Sequence, residues 1–433
     1  MRTAFLILCS AATLSAQPAA GQKPEVRLAT AKASAEDLVH GRIPQLFARF
    51  NDGAKQRLPE NVLSSTIGMG LKQLGAFKTF QGEAARQNSG VNDLYLNVAE
   101  FENGIVDISI VLDPDGKVAG VAARPRPVKP PPATSPVKEE EVVIKTGELE
   151  MPGTISWPTG PGPFPAVLIV HGSGPQDRDC TTGPNTPYRD LAWGLAQQGV
   201  AVLRYDKRTK KYGAKSFPGK VNLNDEVVDD ALNAVALLRA NAKINPNRIV
   251  LAGHSLGGQL APSMAEKDGK LAGVLILAGP GRPIADIVIE QTKYMIKLNP
   301  EAKSLETQLA DVEKLKKITP GMEDKRTLGA PNYYWKELDS FNAPETAKKL
   351  ALPILVLQGE RDYQVTMADF AAWKSAIGGK PNAVMKSYPK LNHLFLEGSG
   401  TPTPAEYMKL GHVPEYVITD ISKWVNGLPA HGR

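Results

Sequence analysis

From residue 166 onward, short apolar runs alternate with stretches of helical spacing. The runs at 166–170, 200–205, 248–252, 274–278 and 354–358 predict strands; the stretches at 188–198, 225–239, 256–266 and 368–376 predict helices. Strands that are apolar on both sides need cover on both faces, so the pattern predicts a mostly parallel sheet between helical layers. Two opening strands, 141–149 and 154–157, are expected around a Met151-Pro152-Gly153 turn. Upstream the rhythm differs. Leu38, Ile43, Leu46, Phe47 and Phe50 give residues 35–63 helical spacing, and Ile105, Asp107, Ser109 and Val111 alternate as a strand does before an Asp115-Gly116 turn. That half reads as a small α+β domain.

The 433 residues exceed one core at about 150 residues per domain, and composition marks the boundary. Residues 124–136 read RPRPVKPPPATSP, and prolines fix φ and remove donors, favouring an extended spacer. The expected order is a domain over 23–123, a linker over 124–140 and a larger domain over 141–433. Residues 1–22 are read as a cleaved signal peptide, with Arg2 before an apolar stretch at 4–14 and small residues at 15–20. A secreted or periplasmic protein is expected. Leu8 precedes Cys9 where a lipoprotein signal needs a small residue, and no internal apolar run approaches the roughly 20 residues that span a bilayer. No stable membrane anchor is expected. Processing leaves Cys180 alone, so no intramolecular disulfide is expected.

The formal charge of +6 directs attention to Lys207, Lys210, Lys211, Lys215 and Lys220. No recognised nucleic-acid motif accompanies them, so they read as a solvated loop and no nucleic-acid partner is expected.

The candidate chemistry centres on GHSLGG. Gly253 and Gly257 flank Ser255 as Gly-x-Ser-x-Gly between a predicted strand and a predicted helix, the context that presents a serine on a strained turn. A serine hydroxyl needs a base, usually a histidine oriented by a carboxylate. Of six histidines, His40 lies in the other domain, His171 ends an earlier strand, and His254 is adjacent and should point away from the serine. His393, in LNHLF after the last apolar stretch, is favoured over His412 and over His431 at the tail. Asp362 follows the 354–358 strand on the same carboxyl edge as Ser255 and is favoured over Glu360 and over a helix-capping role. The oxyanion donors are the Leu256 amide and, from His171-Gly172-Ser173-Gly174, the Ser173 amide, with Gly172 and Gly174 as alternatives.

HGSGPQDRD (171–179), RYDKR (204–208), GHSLGG (253–258), LQGERDYQVT (357–366) and LNHLF (391–395) together resemble the α/β-hydrolase superfamily over residues 141–428. They are most similar to bacterial esterases of the serine aminopeptidase-like and dienelactone-hydrolase-like branches. Dienelactone hydrolases carry cysteine at the elbow, where Ser255 stands here. The first domain resembles a small domain of unknown function, thought to be cone-shaped, that precedes some secreted members. The resemblance implies structural roles for Asp206 and Arg208 and a cap over about 280–350. That insertion holds an amphipathic stretch at 305–318, with Tyr333, Tyr334 and Trp335 either lining a pocket or packing the cap. The overall expectation is an α/β-hydrolase fold hydrolysing a small-molecule carboxylic ester through a Ser-His-Asp acyl-enzyme. It uses no cofactor and no metal, since neither ligand spacing nor a phosphate loop occurs. A peptidase, amidase or thioesterase, or a non-catalytic binding protein, is the alternative reading.

Overall fold

The computed structural model describes residues 22–429 apart from 69–70, 72–73, 83, 90–91, 103, 127–136, 217–219, 221, 301–302, 320 and 329. The expected leader, all but its last residue, and His431 lie outside the described residues. The chain divides into two compact units, the first holding Met1–Pro130 with Thr182–Asn185 and Pro404–Leu410.

In the first unit the predicted helical stretch becomes four helices: α1 (Pro24–Val39), α2 (Ile43–Ala48), α3 (Asp52–Arg57) and α4 (Glu60–Leu63). Gly41 at φ 69° breaks the first from the second, a left-handed position that glycine takes without steric cost. Asn51 caps α3 by accepting from the Ala54 amide at 2.8 Å. Strands β1 (Phe77–Phe80), β3 (Asn92–Phe101), β4 (Gly104–Leu112) and β5 (Val118–Pro125) form an antiparallel sheet in that order, with β2 (Ala85–Ser89) also paired to β3. The period-two pattern of β4 holds. Val106, Ile108, Ile110 and Leu112 supply its buried face, and Ile105, Asp107, Ser109 and Val111 its half-buried one. Arg124 and Pro125 end β5 and Lys138 opens β6, so both ends of the predicted linker are strand.

The second unit is an eight-stranded sheet. Its order is β15 (Ala383–Tyr388), β14 (Ile354–Gly359), β11 (Gly273–Leu277), β10 (Ile244–His254), β8 (Phe164–Val170), β9 (Ala201–Tyr205), β7 (Leu149–Trp157), β6 (Lys138–Thr146). Strands β8 to β15 of this sheet pair in parallel, and β7 runs antiparallel to both its neighbours. The expected turn at Met151-Pro152-Gly153 is corrected: β6 and β7 meet at Gly147, and those three residues lie inside β7. Their composition reads as a turn, but Gly153 is there for close approach. A Cβ on it would stand 2.8 Å from Ile144 Cδ1 and 3.1 Å from the Arg204 carbonyl oxygen.

Helices α5 (Pro187–Gln197), α6 (Arg208–Tyr212), α7 (Asp229–Ala240), α8 (Leu256–Asp268), α13 (Met367–Ile377) and α14 (Glu415–Gly427) flank the strands or their connections. The insertion supplies α9 (Ile284–Leu298), α10 (Lys303–Glu313), α11 (Asn332–Ser340), α12 (Ala343–Lys349) and the short hairpin β12 (Arg326–Thr327) and β13 (Ala330–Pro331). Only part of it forms a separate cap. Ala285, Val288, Val312 and Leu315 build a small core of their own, whereas Leu338, Ala343, Ala347 and Leu350 join the core of the main sheet. Among the described residues no helix is long and apolar enough to cross a membrane.

β9 and β10 lie on opposite sides of β8, so the chain reverses direction across the sheet there, and the carboxyl ends of β8 and β10 emerge side by side. Such a switch point opens a crevice at the carboxyl edge of a parallel sheet.

Candidate active site

Ser255 stands between β10 and α8 with φ 54°, a backbone state that costs energy for any residue bearing a Cβ. Packing enforces it. A Cβ on Gly253 would lie 2.1 Å from the Gly257 carbonyl oxygen, and one on Gly257 would lie 2.6 Å from that of Val170 and 2.7 Å from that of His171. Gly253 therefore serves backbone crowding within the serine turn itself, and Gly257 crowding against the end of β8. The Ser255 amide donates to the Leu277 carbonyl at 2.9 Å, which fastens the turn to β11. Ser255 is half-buried while its neighbours on either side are buried.

His393 Nδ1 lies 2.6 Å from Asp362 Oδ2. Asp362 and His393 are both buried, and the carboxylate accepts further bonds from the Gln364 and Val365 amides at 2.7 and 3.0 Å and from Gln358 Nε2 at 3.1 Å. An acceptor surrounded by N–H donors calls for the Nδ1–H tautomer, leaving His393 Nε2 as the lone-pair nitrogen. His254 supports His393 from behind. Its Nε2 donates to the His393 carbonyl at 2.9 Å, so its Nδ1 accepts from the Tyr188 hydroxyl at 2.9 Å, and its ring packs 4.7 Å from that of His393. The residue preceding the serine thus anchors the loop that carries His393.

The 171–174 turn leaves β8 beside this site. Gly172 abuts the serine, since a Cβ there would stand 3.1 Å from Ser255 Cβ. The Leu256 amide opens α8 and, as one of the first four of a helix, has no intrahelical acceptor. Ser173 is exposed and Gly174 takes φ 78°.

The remaining candidates are elsewhere. Glu360 is exposed and accepts from Ser387 Oγ at 2.8 Å; His412 is exposed and 3.2 Å from Asp190; His40 pairs with Glu36 at 3.2 Å; His171 packs edge-on to Tyr205. Asp206 accepts from the Arg178 amide at 2.8 Å, and Arg208 makes a buried bidentate pair with Asp230 at 2.6 and 2.8 Å.

Residues 167–407 match the model of the alpha/beta hydrolase family, and 338 residues align at 39% identity with Esterase EstD of Thermotoga maritima, covering 77% of this chain and 79% of that one. The chain belongs to the alpha/beta hydrolase family. Residues 31–121 match DUF3887, a family of proteins of unknown function. Solved structures similar to this alpha/beta hydrolase include Est1E from Butyrivibrio proteoclasticus, at 15% identity over 66% of this chain and 98% of that one with a TM-score of 0.44. Another is a puromycin-hydrolyzing peptidase of Mycobacterium tuberculosis, at 14% identity over 82% and 48% with a TM-score of 0.46.

One feature of this hydrolase was missed in its sequence. Lys207, read with Lys210, Lys211, Lys215 and Lys220 as a solvated run, is instead 2% exposed, while the other four are exposed. Its ammonium donates to Glu226 at 2.6 Å and to the Gly172 carbonyl at 3.1 Å. Position was the available signal: Lys207 lies just beyond β9, after Asp206, whereas the others continue into helix and loop. The role of the aromatic patch, left open between pocket lining and packing of the cap, shows in its contacts. The Tyr334 hydroxyl donates to Glu226 at 2.7 Å, Trp335 Nε1 donates to the Thr327 carbonyl at 2.9 Å, and Lys220 sits over the Tyr333 ring at 5.1 Å. Tyr334 and Trp335 are thus committed to holding the insertion in place. On its other side α9 is tied to the loop that carries Asp362: Gln291 Nε2 donates to the Gln364 carbonyl at 2.6 Å, and Tyr294 stacks on Tyr363 at 5.4 Å.

Proposed function

We propose that this hydrolase cleaves small-molecule carboxylic esters through an acyl-enzyme on Ser255, with His393 as general base and Asp362 orienting it. The observation that carries the reading is the buried 2.6 Å contact of His393 Nδ1 with Asp362, on a loop that His254 holds beside the serine turn. Ser255 Oγ attacks the carbonyl carbon as His393 Nε2 takes its proton. The oxyanion forms between the Leu256 and Ser173 amides. Nε2 then protonates the departing alkoxide, and water repeats the cycle to free the acid and restore Ser255. The 39% identity to Esterase EstD supports an ester as the substrate class.

The proposal includes export by cleavage within residues 15–22 and a separate N-terminal domain over 23–123 ahead of the catalytic domain at 141–433. Sequencing the mature N-terminus of protein from a periplasmic or culture fraction checks the first point; a chain still beginning at Met1 contradicts it.

The substrate class is tested with aryl esters of increasing acyl length beside aminoacyl anilides, using wild type and Ser255→Ala. Ester turnover that vanishes in the variant, with anilides poorly used, is expected. Comparable anilide hydrolysis would make the protein a peptidase, and full esterase activity in the variant would remove Ser255 from the reaction.

A further inference from the structure

The Gly172-Ser173 peptide has a partner that the acyl-transfer reaction does not itself require. A peptide unit is planar and trans, so its C=O and its N–H point in opposite directions. The Gly172 oxygen is fixed by the Lys207 ammonium at 3.1 Å, which fixes the direction of the Ser173 N–H on the other side of that plane. The next carbonyl is held as well, because Gln176 Nε2 donates to the Ser173 oxygen at 3.1 Å and the Gln176 carbonyl accepts from the Lys207 amide at 3.0 Å. Gly172 lies against Ser255, so any rotation of this peptide alters the surroundings of the nucleophile.

Lys207 is in turn held by a buried partner. Glu226 lies on a π-helical turn, Asn224–Val228, ahead of α7, and such local insertions in a helix re-aim side chains, frequently at functional sites. The Glu226 carboxylate receives Lys207 on one oxygen at 2.6 Å and the Tyr334 hydroxyl on the other at 2.7 Å. Tyr334 belongs to α11 of the insertion. A chain of three contacts therefore runs from the insertion to the turn beside Ser255.

From this chain we infer that Lys207 is a positioning residue that aims the Ser173 amide at the oxyanion, and that Tyr334, acting through Glu226, makes that aim depend on the seating of the insertion. The inference rests on the Ser255 acyl-transfer reading and specifies which part of the protein assembles its oxyanion donor.

The test uses the full chain and two variants, Lys207→Met and Tyr334→Phe, the second keeping the ring and removing only the hydroxyl. Competent sites are counted by exhaustive titration with a fluorophosphonate, and kcat per titrated site is compared with inhibition by a trifluoromethyl ketone that mimics the tetrahedral adduct. Lys207→Met is expected to lower kcat per site by about tenfold to a hundredfold, short of the hundredfold to thousandfold for removing a donor outright. KM should change little, and the ketone's inhibition constant should rise in proportion to the loss in kcat/KM. Tyr334→Phe should shift both in the same direction by a smaller factor. A merely structural role would reduce the number of titratable sites and leave kcat per site and ketone binding unchanged, and that result overturns the inference. If Lys207→Met does not fold, wild-type kcat and ketone binding in Tyr334→Phe overturn the coupling to the insertion. Failure of the underlying reading shows separately, as full activity in Ser255→Ala.

Discussion

Gly172 and Ser255 are in van der Waals reach across two adjacent strand ends, with 3.1 Å between Ser255 Cβ and the position a Cβ on Gly172 would take. Gln176 Nε2 would lie at 3.3 Å from the same added atom. The contact places the turn after β8 and the elbow after β10 in one crevice, and it leaves no room for a larger residue at 172 without displacing one of them.

Gly172→Ala should therefore fold and turn over slowly. The added methyl must move Ser255 or the Ser173 amide by a few tenths of an ångström, and small misplacements of reacting groups cost up to about a hundredfold in rate. Steady-state kinetics on an aryl ester, normalised to titrated sites, checks this; an unchanged kcat would show that the turn does not bear on the nucleophile.

Asp362→Asn should cost more than any other acid-loop substitution. An amide in place of the carboxylate can donate to Nδ1 and stabilise the wrong histidine tautomer, which in serine hydrolases lowers kcat by about ten-thousand-fold. Glu360→Gln, altering an exposed side chain bonded to Ser387, should stay near wild type. The opposite ranking would make Glu360 the acid.

Glu226 gives a pH signature. Burial pushes its carboxyl up, but the Lys207 ammonium and the hydrogen bonds from Lys207 and Tyr334 outweigh that and bring it below its ordinary 4.5. A depressed folded-state value means that the stability it contributes is fully present above that ordinary value and is lost as pH falls through the folded one. Thermal melts of wild type and Glu226→Gln should differ most at neutral pH and converge in acid. A gap of constant size from neutral pH down to strong acid would contradict the ion pair.

The same pair predicts non-additivity. Removing Lys207 alone leaves a buried carboxylate without its cation, a defect worth about 3–5 kcal/mol, whereas removing both charges costs much less. Urea melts should show Lys207→Met/Glu226→Gln more stable than Lys207→Met; a double variant as unstable as the sum of the singles would show that the two groups act independently.

The sheet was legible in the sequence because parallel strands are apolar on both faces, as Leu168 and Ile169 are in β8, and few other segments read that way. The elbow was legible because Gly253 and Gly257 are demanded by backbone crowding, which leaves a fixed spacing. Turn composition was less reliable: Pro152 and Gly153 sit inside β7, where tertiary approach overrides local preference. The Lys207–Glu226–Tyr334 network was not legible, because its members come from the connection after β9, a π-helical turn and the insertion, and nothing in local spacing joins them. A lysine inside a basic run looks solvated until the fold buries it.

The central claim, that Ser255 is the nucleophile, is tested most directly by reacting the folded full chain with a fluorophosphonate and locating the adduct by peptide mass spectrometry. One equivalent on the peptide bearing Ser255, with esterase activity falling in step with labelling, is the predicted result. Labelling at another serine, or full activity in the fully labelled protein, would contradict it.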